Sequence, residues 1–437
     1  MKLILTAGRR RQQAEDALRA LEQRGGAALD SVLPTVKRIV AAVRRSGDRA
    51  LFRYARQFDG LADARMFRIS REEMSSAWDS IDPALREALN TASKQIRVFA
   101  CRQMPNSWSS SALPGLTTGQ LVRPLGSVGC YVPSGRHPLP STLLMTAIPA
   151  KVAGVERVVA ISPKPAHETL AAAHLLGITE FYRVGGAHGV AALAYGTKTL
   201  PRVDKIVGPG NLYVTAAKRL IAFDCAIDML AGPTEIVVTS ELGAPVDIAA
   251  DLVAQAEHDP EAVAIFVTTR ADLARDVIAE AKSQSRKNPV ARTALNRNGV
   301  VILASTIAEA RAITNRLAPE HLTVDEASDL AWVSNAGSVF VGRWSAQPMG
   351  DYISGPNHTL PTGGTARLRG GLSVNDFVKL ITVQEYSKRG LQMLGHQAAL
   401  LADAEGLAAH ARSIRIRLQE AAPLRPSASS RKRRIRA

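Results

Sequence analysis

The sequence has few cysteines, and their placement argues against two kinds of cysteine chemistry. Its 437 residues include only Cys101, Cys130 and Cys225, which are far apart and form no C-x-x-C pair. An odd number of widely spaced cysteines argues against a disulfide framework or a thiolate zinc site. Cys130 lies in an apolar run beside Tyr131, where it could be a nucleophile, but a small buried side chain is the favoured interpretation.

The sequence also lacks a long hydrophobic run. No apolar stretch reaches the roughly 18–20 residues that a helix needs to cross a membrane. The apolar N-terminal residues, Met1 to Leu5, are too few for a secretory signal and run into Arg9–Arg11. With 46% hydrophobic and 22% charged residues, the composition is that of a soluble protein of roughly two to three domains. We therefore predict a cytoplasmic location.

Aromatic residues make up only 5% of the chain, and acidic residues are missing from its C-terminal end. Six basic residues and no acid follow Glu420, so the formal net charge of +16 becomes +10 without them. We predict a disordered basic tail over 421–437, because that segment is poor in apolar residues. No aromatic residues are interleaved there to stack bases, and no nucleic-acid module is recognisable, so no specific nucleic acid is expected as a partner.

Short apolar runs alternate with helical patterns along most of the chain. Residues 9–60 have apolar residues at helical spacing with a break at Gly47, and the pattern turns helical again from about Val378. Residues 105–118 are predicted as a linker rich in Ser and Pro. From the end of this linker to about Val378, strand-like and helix-like segments alternate, which predicts open, mainly parallel α/β sheets. The predicted strands are 155–161, 181–184, 205–207, 235–239, 264–268 and 299–303, and the predicted helices are 171–176, 246–257 and 272–283.

Two glycine-rich loops follow predicted strands, Gly185-Gly186 and Gly208-Pro209-Gly210-Asn211. In such sheets, ligands bind beyond the carboxyl ends of the strands, where free backbone N–H groups can receive a phosphate. The G-x-G-x-x-G fingerprint is absent, and glycines at strand ends are more often part of tight turns. Each loop alone is therefore a weak indication of a dinucleotide site.

Gln255 and His258 stand three residues apart on the predicted helix 246–257 or its end, so they would share a face. An imidazole nitrogen and an amide oxygen suit a mixed N/O metal site that takes further ligands from elsewhere. The alternative is a hydrogen-bonded pair near the helix end that Asp259-Pro260 imposes. Taken alone, that structural interpretation is favoured.

Glu320 and His321 follow a proline and lead into an apolar, strand-like run. Imidazole titrates near neutral pH and can accept the proton of an alcohol, and a carboxylate can activate water. Two further carboxylate–imidazole pairs occur, Asp351 with His358 in a Gly/Pro-rich loop and Glu405 with His410. Each pair could equally be ordinary loop residues.

The order of these groups resembles the histidinol dehydrogenase family. It reads Q-x-x-H-D from Gln255, P-E-H-L from Pro319, G-D-Y-x-S-G-x-N-H-x-L-P-T from Gly350 and E-G-L-x-x-H from Glu405. The resemblance covers about residues 36–410, and several motifs in the same order make it specific. Further shared motifs are Gly129–Pro133, Ile148–Val155, Val207–Asn211 and Ala231–Glu235.

The resemblance implies an NAD-dependent four-electron oxidation of L-histidinol to L-histidine via histidinal, the last steps of histidine biosynthesis. His321 would act as the general base and Glu320 would activate water. One zinc ion per subunit would orient the substrate. The implied zinc ligands are Gln255, His258, Asp351 and His410, and the implied NAD contacts are Tyr131, His188 and Asn211. The implied substrate contacts are Thr234, Gln255, His258, Glu320, His321, Asp351, His358, Glu405 and His410.

The resemblance also implies a homodimer with a shared active site, in which His410 comes from the partner subunit. We expect two Rossmann-like open sheets without the G-x-G-x-x-G fingerprint, plus small helical terminal segments involved in dimer formation. The expected division is an N-terminal helical segment 1–24, a discontinuous zinc and catalytic domain 25–127 and 236–377, an NAD-binding domain 128–235, a helical dimerisation segment 378–420 and the tail.

Three positions depart from the common family pattern: Ser134 stands where Gly is usual, His188 where Gln is frequent, and Thr234 where Ser is frequent. The first alternative is therefore a zinc- and NAD-dependent dehydrogenase of another small alcohol, such as a sulfonated propanediol. A zinc-dependent hydrolase would also use Glu and His near a metal. A hydrolase would not need the two glycine-rich loops, which favours the dehydrogenase.

Overall fold

The computed structural model describes residues 1–8, 11–24, 29–134 and 138–421. The tail predicted as disordered therefore lies outside the described residues from 422 on. The strands are β1 (Lys2–Leu5), β2 (Arg68–Ile69), β3 (Trp108–Leu113), β4 (Leu116–Pro124), β5 (Ser127–Tyr131), β6 (Arg157–Ser162), β7 (Glu180–Arg183), β8 (Lys205–Val207), β9 (Ala226–Ile227), β10 (Glu235–Thr239), β11 (Val263–Thr268), β12 (Gly299–Leu303), β13 (His321–Val324), β14 (Ser338–Val341) and β15 (Val378–Tyr386).

Helices cover much of the rest of the described chain, together with short 3-10 turns. The α-helices are α1 (Arg11–Glu22), α2 (Leu29–Ser46), α3 (Asp48–Tyr54), α4 (Arg71–Ser80), α5 (Pro83–Arg102), α6 (Pro140–Val152), α7 (His167–Leu175), α8 (Gly186–Tyr195), α9 (Leu212–Ile221), α10 (Pro245–Ala256), α11 (Ala271–Gln284), α12 (Pro289–Asn298), α13 (Ile307–Leu317), α14 (Pro348–Tyr352), α15 (Lys388–Ala404) and α16 (Ala408–Ala421). Among the described residues, none of these helices is long and apolar enough to cross a bilayer.

The chain divides into two compact units. The first comprises Met1–Met104 and Pro124–Val378, and the second comprises Pro105–Arg123 and the chain from Lys379 on. The first unit holds two six-stranded open sheets, which confirms the predicted α/β fold class. The division into separate catalytic and NAD-binding domains stays a prediction.

The first sheet has the strand order β1-β12-β11-β10-β13-β14, and its neighbouring strands are parallel. Its central strands are continuous apolar runs, as expected for a parallel sheet whose two faces are both covered by helices. In β10, Ile236 and Val238 pack into one apolar layer and Val237 into the other. Residues 1–24, expected to be helical, contribute the edge strand β1 as well as α1.

The second sheet has the order β2-β7-β6-β5-β8-β9 and is parallel except for the edge strand β2. It too has a core on each face: Val128 and Cys130 of β5 point into one apolar cluster and Tyr131 into the other. Burial raises the pKa of the Cys130 thiol to about 12. Cys130 is fully buried in this apolar cluster, which confirms it as a small core side chain, and its raised pKa disfavours the reactive thiolate.

The second unit contains a sheet of order β15-β4-β3 together with α15 and α16. The prediction of a linker over 105–118 is wrong, because Trp108–Leu113 forms an antiparallel pair with β4. The prediction of helix from Val378 is also wrong for the first nine residues, which form β15. Nearly every side chain of β3 and β15 is exposed in the single chain. Because neither strand has one buried face, their sequences lack the alternation of apolar and polar residues that identifies a half-buried strand.

Candidate active site

The parallel pairing of β10 with β13 places Glu320 and His321 next to Glu235. Ile236 is in register with His321, so the preceding residues Glu235 and Glu320 also lie side by side. Both are at the amino ends of their strands, whereas the sequence led us to expect ligands beyond carboxyl ends. Helix α13 ends at Leu317, its C-cap Ala318 has a left-handed φ of 46°, and the chain then turns into β13.

The Glu320 carboxylate is buried and accepts two hydrogen bonds on Oε2. The donors are the Thr234 hydroxyl at 2.6 Å and the Glu235 backbone N–H at 2.8 Å. Burial raises the pKa of Glu320 to about 7, although His321 and these donors oppose the shift. A carboxyl group with a pKa near neutrality can accept a proton from water more readily than an ordinary glutamate.

The His321 imidazole is also buried, with each ring nitrogen next to an acceptor. Nδ1 lies 3.2 Å from the Glu235 carbonyl oxygen, and Nε2 lies 3.6 Å from the Asp351 carboxylate. Burial lowers the pKa of His321, but the nearby carboxylates of Glu320 and Asp351 outweigh it and raise the pKa to about 9. Because a carbonyl oxygen can only accept, Nδ1 carries a hydrogen and Nε2 is the nitrogen that can exchange a proton.

Gln255 and His258 do not share a helical face as predicted, because α10 ends at Ala256. His258 follows the C-cap Glu257, and its backbone N–H lies 3.4 Å from the Gln255 carbonyl oxygen. The Gln255 side-chain amide donates to the Thr234 hydroxyl, while its Oε1 is buried without a hydrogen-bond partner. A buried oxygen acceptor of this kind is suited to a cation.

Asp351 and His358 approach the same place from α14 and the loop after it. His358 Nδ1 lies 2.8 Å from the Asp351 carbonyl oxygen, and Gln347 donates to the Asp351 carboxylate at 3.1 Å. Burial raises the pKa of Asp351, but the ion pair with His321 and the charges of the other nearby histidines lower it overall. Burial lowers the pKa of His358, which favours the neutral imidazole.

A cavity of about 200 Å³ joins these side chains. It is also lined by Gly208 and Pro209 of a predicted glycine-rich loop and by Ser141 and Thr142 of α6. The cavity therefore lies between the amino ends of β10 and β13 and the carboxyl end of β8. Seven of the residues chosen from the sequence line it: Thr234, Gln255, His258, Glu320, His321, Asp351 and His358.

The expected NAD contacts lie outside the lining of this cavity. Tyr131 is buried, and its hydroxyl accepts a hydrogen bond from the Gly186 N–H at 3.1 Å. His188 is buried too, with Nε2 2.7 Å from Asp59. Asn211 is exposed, and its side chain caps α9. Tyr131 thus bonds the Gly185-Gly186 loop directly, whereas His188 is linked to it through Asp59, which accepts from the Gly185 N–H at 3.1 Å.

Glu405 and His410 belong to the second unit. Glu405 is the C-cap of α15, and His410 lies in the first turn of α16; both are exposed. Within the described residues there is no group of three or more His, Cys, Asp and Glu side chains placed to hold a metal. The Gln255 amide oxygen is a further possible ligand of another type.

Sequence reasoning gave Glu235 and Gln347 no role. Glu235 lies in the quoted motif Ala231–Glu235, yet only the strand register reveals that its main chain contacts both Glu320 and His321. Gln347 has no motif around it, and its contact with Asp351 depends on the turn into α14. The position of Glu235 in a shared motif was the one available signal.

Comparisons with known proteins identify the family of this chain. The model of the family described as histidinol dehydrogenase matches residues 22–418. A histidinol dehydrogenase of Methanothermobacter thermautotrophicus is 45% identical over 413 residues, covering 92% of this chain and 96% of the relative. One of Geobacillus kaustophilus is 47% identical over 394 residues, covering 87% and 93%.

A solved structure gives the same result at the level of the fold. The crystal structure of histidinol dehydrogenase from Elizabethkingia anophelis has a TM-score of 0.89 and 33% identity, covering 96% of this chain and 98% of that one. The fold and the matches define an α/β oxidoreductase. The chain belongs to the histidinol dehydrogenase family.

Proposed function

We propose that the protein oxidises L-histidinol to L-histidine via histidinal, with NAD as hydride acceptor and one zinc ion per subunit. The observation that carries the proposal is the Glu320–His321 pair, buried in a cavity that also holds Thr234, Gln255 and His258. Family membership makes histidinol the substrate with the strongest support.

The donor set fits zinc. The buried, unpartnered Oε1 of Gln255, the imidazole of His258 and the carboxylate of Asp351 line one cavity and form a mixed N/O set. His410 of the second unit, supplied by the partner subunit, would complete four ligands. When bound, zinc would supply a fixed positive charge that orients the imidazole and amine of histidinol.

His321 is proposed as the general base of the alcohol oxidation. Its Nδ1–H donates to the Glu235 carbonyl, which fixes the ring, so Nε2 is the nitrogen that would accept the alcohol proton. Because the pKa of His321 is raised to about 9, this role requires the deprotonated ring, and we expect activity to rise with pH toward that value. The same nitrogen would serve again when the aldehyde hydrate is oxidised. If His321 removes the hydroxyl proton while hydride leaves the carbon, neither an alkoxide nor a protonated aldehyde has to form.

Glu320 is proposed to activate water for attack on the aldehyde. Thr234 and the Glu235 N–H hold its Oε2, so the carboxyl group is fixed in the wall of the cavity. Glu405 would contact the substrate from the partner subunit, and His358 and Thr234 from the same chain as Glu320. Burial of this pocket would limit escape of the reactive aldehyde.

The glycine-rich loops are proposed to receive NAD, which accepts hydride in both oxidations. At Gly208, with φ of 110°, an added Cβ would lie 2.2 Å from the Tyr131 carbonyl oxygen, so only glycine fits. Asn211 begins α9 directly beyond this loop, and its side chain accepts hydrogen bonds from the Tyr213 and Val214 N–H groups, which fixes the start of the helix. With their side chains as they stand, Tyr131 and His188 would affect NAD binding by holding the Gly185-Gly186 loop and not by direct contact.

We infer a cytoplasmic homodimer with a shared active site. The strand β15 exposes Leu380, Ile381, Val383 and Tyr386 in the single chain, an apolar surface that a second copy would cover. Glu405 and His410 lie in the helices that follow this strand.

Steady-state NADH formation from histidinol tests the proposal. We expect about two NADH per histidinol consumed, since four electrons leave the alcohol, and loss of turnover after chelation with recovery on adding zinc. A panel of small alcohols, including a sulfonated propanediol, serves as the comparison. If another alcohol is oxidised and histidinol is not, the proposed substrate is wrong. If the protein does not bind NAD, the proposed dehydrogenase activity is wrong.

A further inference from the structure

One charged side chain outside the cavity is bonded to the strand that supports Glu320 and His321. Arg24, just beyond α1, donates from Nε to Glu235 Oε2 at 2.5 Å and from Nη2 to Glu235 Oε1 at 2.7 Å. The pair is bidentate and enclosed, with side-chain exposures of 10% for Arg24 and 2% for Glu235. Such a fork fixes both the position and the plane of a carboxylate.

The same guanidinium also holds the end of the helix that leads to Glu320. Arg24 Nη2 donates to the carbonyl oxygen of Leu317, the last residue of α13, at 2.9 Å. Its Nη1 donates to the Leu21 carbonyl oxygen at 2.5 Å. Arg24 thus joins α1, the C-terminus of α13 and the amino end of β10.

Glu235 in turn contacts both members of the catalytic pair. Its backbone N–H donates to the Glu320 carboxylate at 2.8 Å, and its carbonyl oxygen lies 3.2 Å from His321 Nδ1. Its own carboxylate lies 3.3 Å from the Glu320 backbone nitrogen. Any displacement of Glu235 is therefore transmitted to both Glu320 and His321.

We propose that Arg24 is a positioning residue for the oxidation, fixing Glu320 and His321 through Glu235 and the Leu317 carbonyl. The inference rests on the proposed roles of Glu320 and His321. Without the guanidinium, the Glu235 carboxylate would be a buried charge without a counter-ion, close to a second carboxylate. Glu235 would have to move or take up a proton, and either change disturbs the catalytic geometry.

Arg316 offers a matched control on the same helix pair. It lies on α13 and binds Glu22 of α1 at 2.7 Å and Glu15 of α1 at 2.9 Å. Its side chain is 40% exposed, and within the described residues its ion pairs are with Glu15 and Glu22 and not with Glu235. Loss of Arg316 therefore weakens the docking of α1 without removing the counter-ion of Glu235.

The experiment compares Arg24→Gln, Arg24→Lys and Arg316→Gln, with zinc content and thermal unfolding measured for each. For Arg24→Gln we expect kcat with histidinol to fall about 10- to 100-fold, because small misplacements of reacting groups have effects of that size. We expect KM to change less than about threefold and zinc content to stay at the wild-type level, since the ligands are untouched. Arg24→Lys should recover part of kcat, and Arg316→Gln should keep it.

The proposal is overturned if Arg24→Gln keeps wild-type kcat, or if Arg316→Gln loses as much as Arg24→Gln. Should Arg24→Gln fail to fold, Arg24→Lys decides, and full kcat in that variant overturns the proposal. Glu320→Gln and His321→Asn are measured in parallel. If both of these stay fully active, the proposed function itself fails; if they are inactive while the Arg24 variants are active, only this inference fails.

Discussion

Glu320 and His321 are neighbours in sequence, but their hydrogen bonds differ in a way that separates their roles. The Glu320 carboxylate accepts from a hydroxyl and a backbone N–H, and an amide oxygen could accept the same two bonds. The His321 ring is fixed at Nδ1 and presents Nε2 as the exchangeable site. Substitutions of Glu320 and His321 that preserve the shape of the side chain should therefore slow different steps of the proposed reaction.

Glu320→Gln should slow the aldehyde step much more than the alcohol step, because the amide keeps the hydrogen bonds but cannot act as a base. We expect a loss of about 100-fold or more in the second hydride transfer. Single-turnover measurements should give close to one fast NADH per site, with histidinal captured by an aldehyde reagent.

His321→Asn should slow both hydride transfers by a similar factor and leave no fast NADH phase. The asparagine retains a donor for the Glu235 carbonyl and removes the base. The assigned roles would be contradicted if the His321 variant formed its first NADH rapidly, or if the Glu320 variant lost the fast first NADH phase while the His321 variant kept it.

Asp251 on α10 gives a prediction for pH-dependent stability. Burial raises the pKa of Asp251 to about 6, although the Gln347 backbone N–H donates to it. The unfolded chain therefore loses this proton at lower pH than the folded chain does, so the folded state loses stability as pH rises from about 4 to about 6.

Asp251→Asn should remove that cost. We expect the variant to be more stable than the wild type by about 1–3 kcal/mol above pH 7, with the difference disappearing near pH 4. Urea unfolding at several pH values measures it. An increase in stability that is the same at pH 4 and pH 8 would show that the charge of Asp251 is not its cause.

Part of the site was predictable residue by residue. Glu320, His321, Gln255, His258 and Asp351 were chosen because they can do chemistry and occur in a recognisable order, and all five line the cavity. Arg24 was not, because its contact with Glu235 spans 211 residues of chain and no local pattern marks it. Long-range ion pairs depend on how the helices dock, which periodicity does not specify.

Among the secondary-structure elements, the buried parallel strands were predicted best. The predicted bounds 205–207, 235–239 and 299–303 agree with β8, β10 and β12, because each is a short β-branched run ended by turn residues. The strands β3 and β15 were missed because their side chains are exposed in the single chain. Their β character depends on hydrogen bonding to neighbouring strands and shows no apolar alternation.

The loop before α9 is held by a buried ion pair. Lys218 Nζ donates to Asp228 Oδ1 and to the Gly208 carbonyl oxygen, both at 2.6 Å, and Gly208 N–H donates to Asp228 Oδ2 at 2.7 Å. Lys218 and Asp228 have side-chain exposures of 4% and 1%. The pair therefore fixes both backbone groups of the glycine at which NAD is proposed to bind.

Lys218→Met should destabilise the protein by about 3–5 kcal/mol, because it leaves Asp228 as a buried charge without a partner. NAD affinity should fall as well. The control is Arg219→Met on the same helix, whose exposed pair with Asp30 should contribute less than about 1 kcal/mol. Urea unfolding and NAD titration compare them, and equal effects of the two substitutions would count against an anchoring role for Lys218.

On the scale of the whole molecule, the proposed shared site predicts complementation between defective subunits. His258→Asn and His410→Asn homodimers should each lose zinc and activity. Coexpressed in equal amounts, half of the dimers would be mixed and each would hold one intact site, giving roughly a quarter of wild-type activity. Zinc content and NADH formation of the mixture measure this.

A mixture of His258→Asn with His321→Asn provides the control. Both residues lie in the first unit, so a mixed dimer would have one defect in each of its two sites. That mixture should stay inactive. Recovery there, or none in the His258–His410 mixture, would contradict a site completed by the partner's His410.

The edge strand β1 has a consequence for how the chain is made. Lys2–Leu5 pairs with β12, residues 299–303, so its partner leaves the ribosome about 300 residues later. At elongation rates of about 5–20 residues per second, strand β1 is synthesised roughly 15–60 seconds before its partner strand. During that time the apolar side of α1, with Ala14 and Leu18, is without its final neighbours. Translation speed and chaperone access to the nascent chain around β1 and α1 should therefore influence the yield of folded protein more than substitutions in sheet strands that pair soon after synthesis.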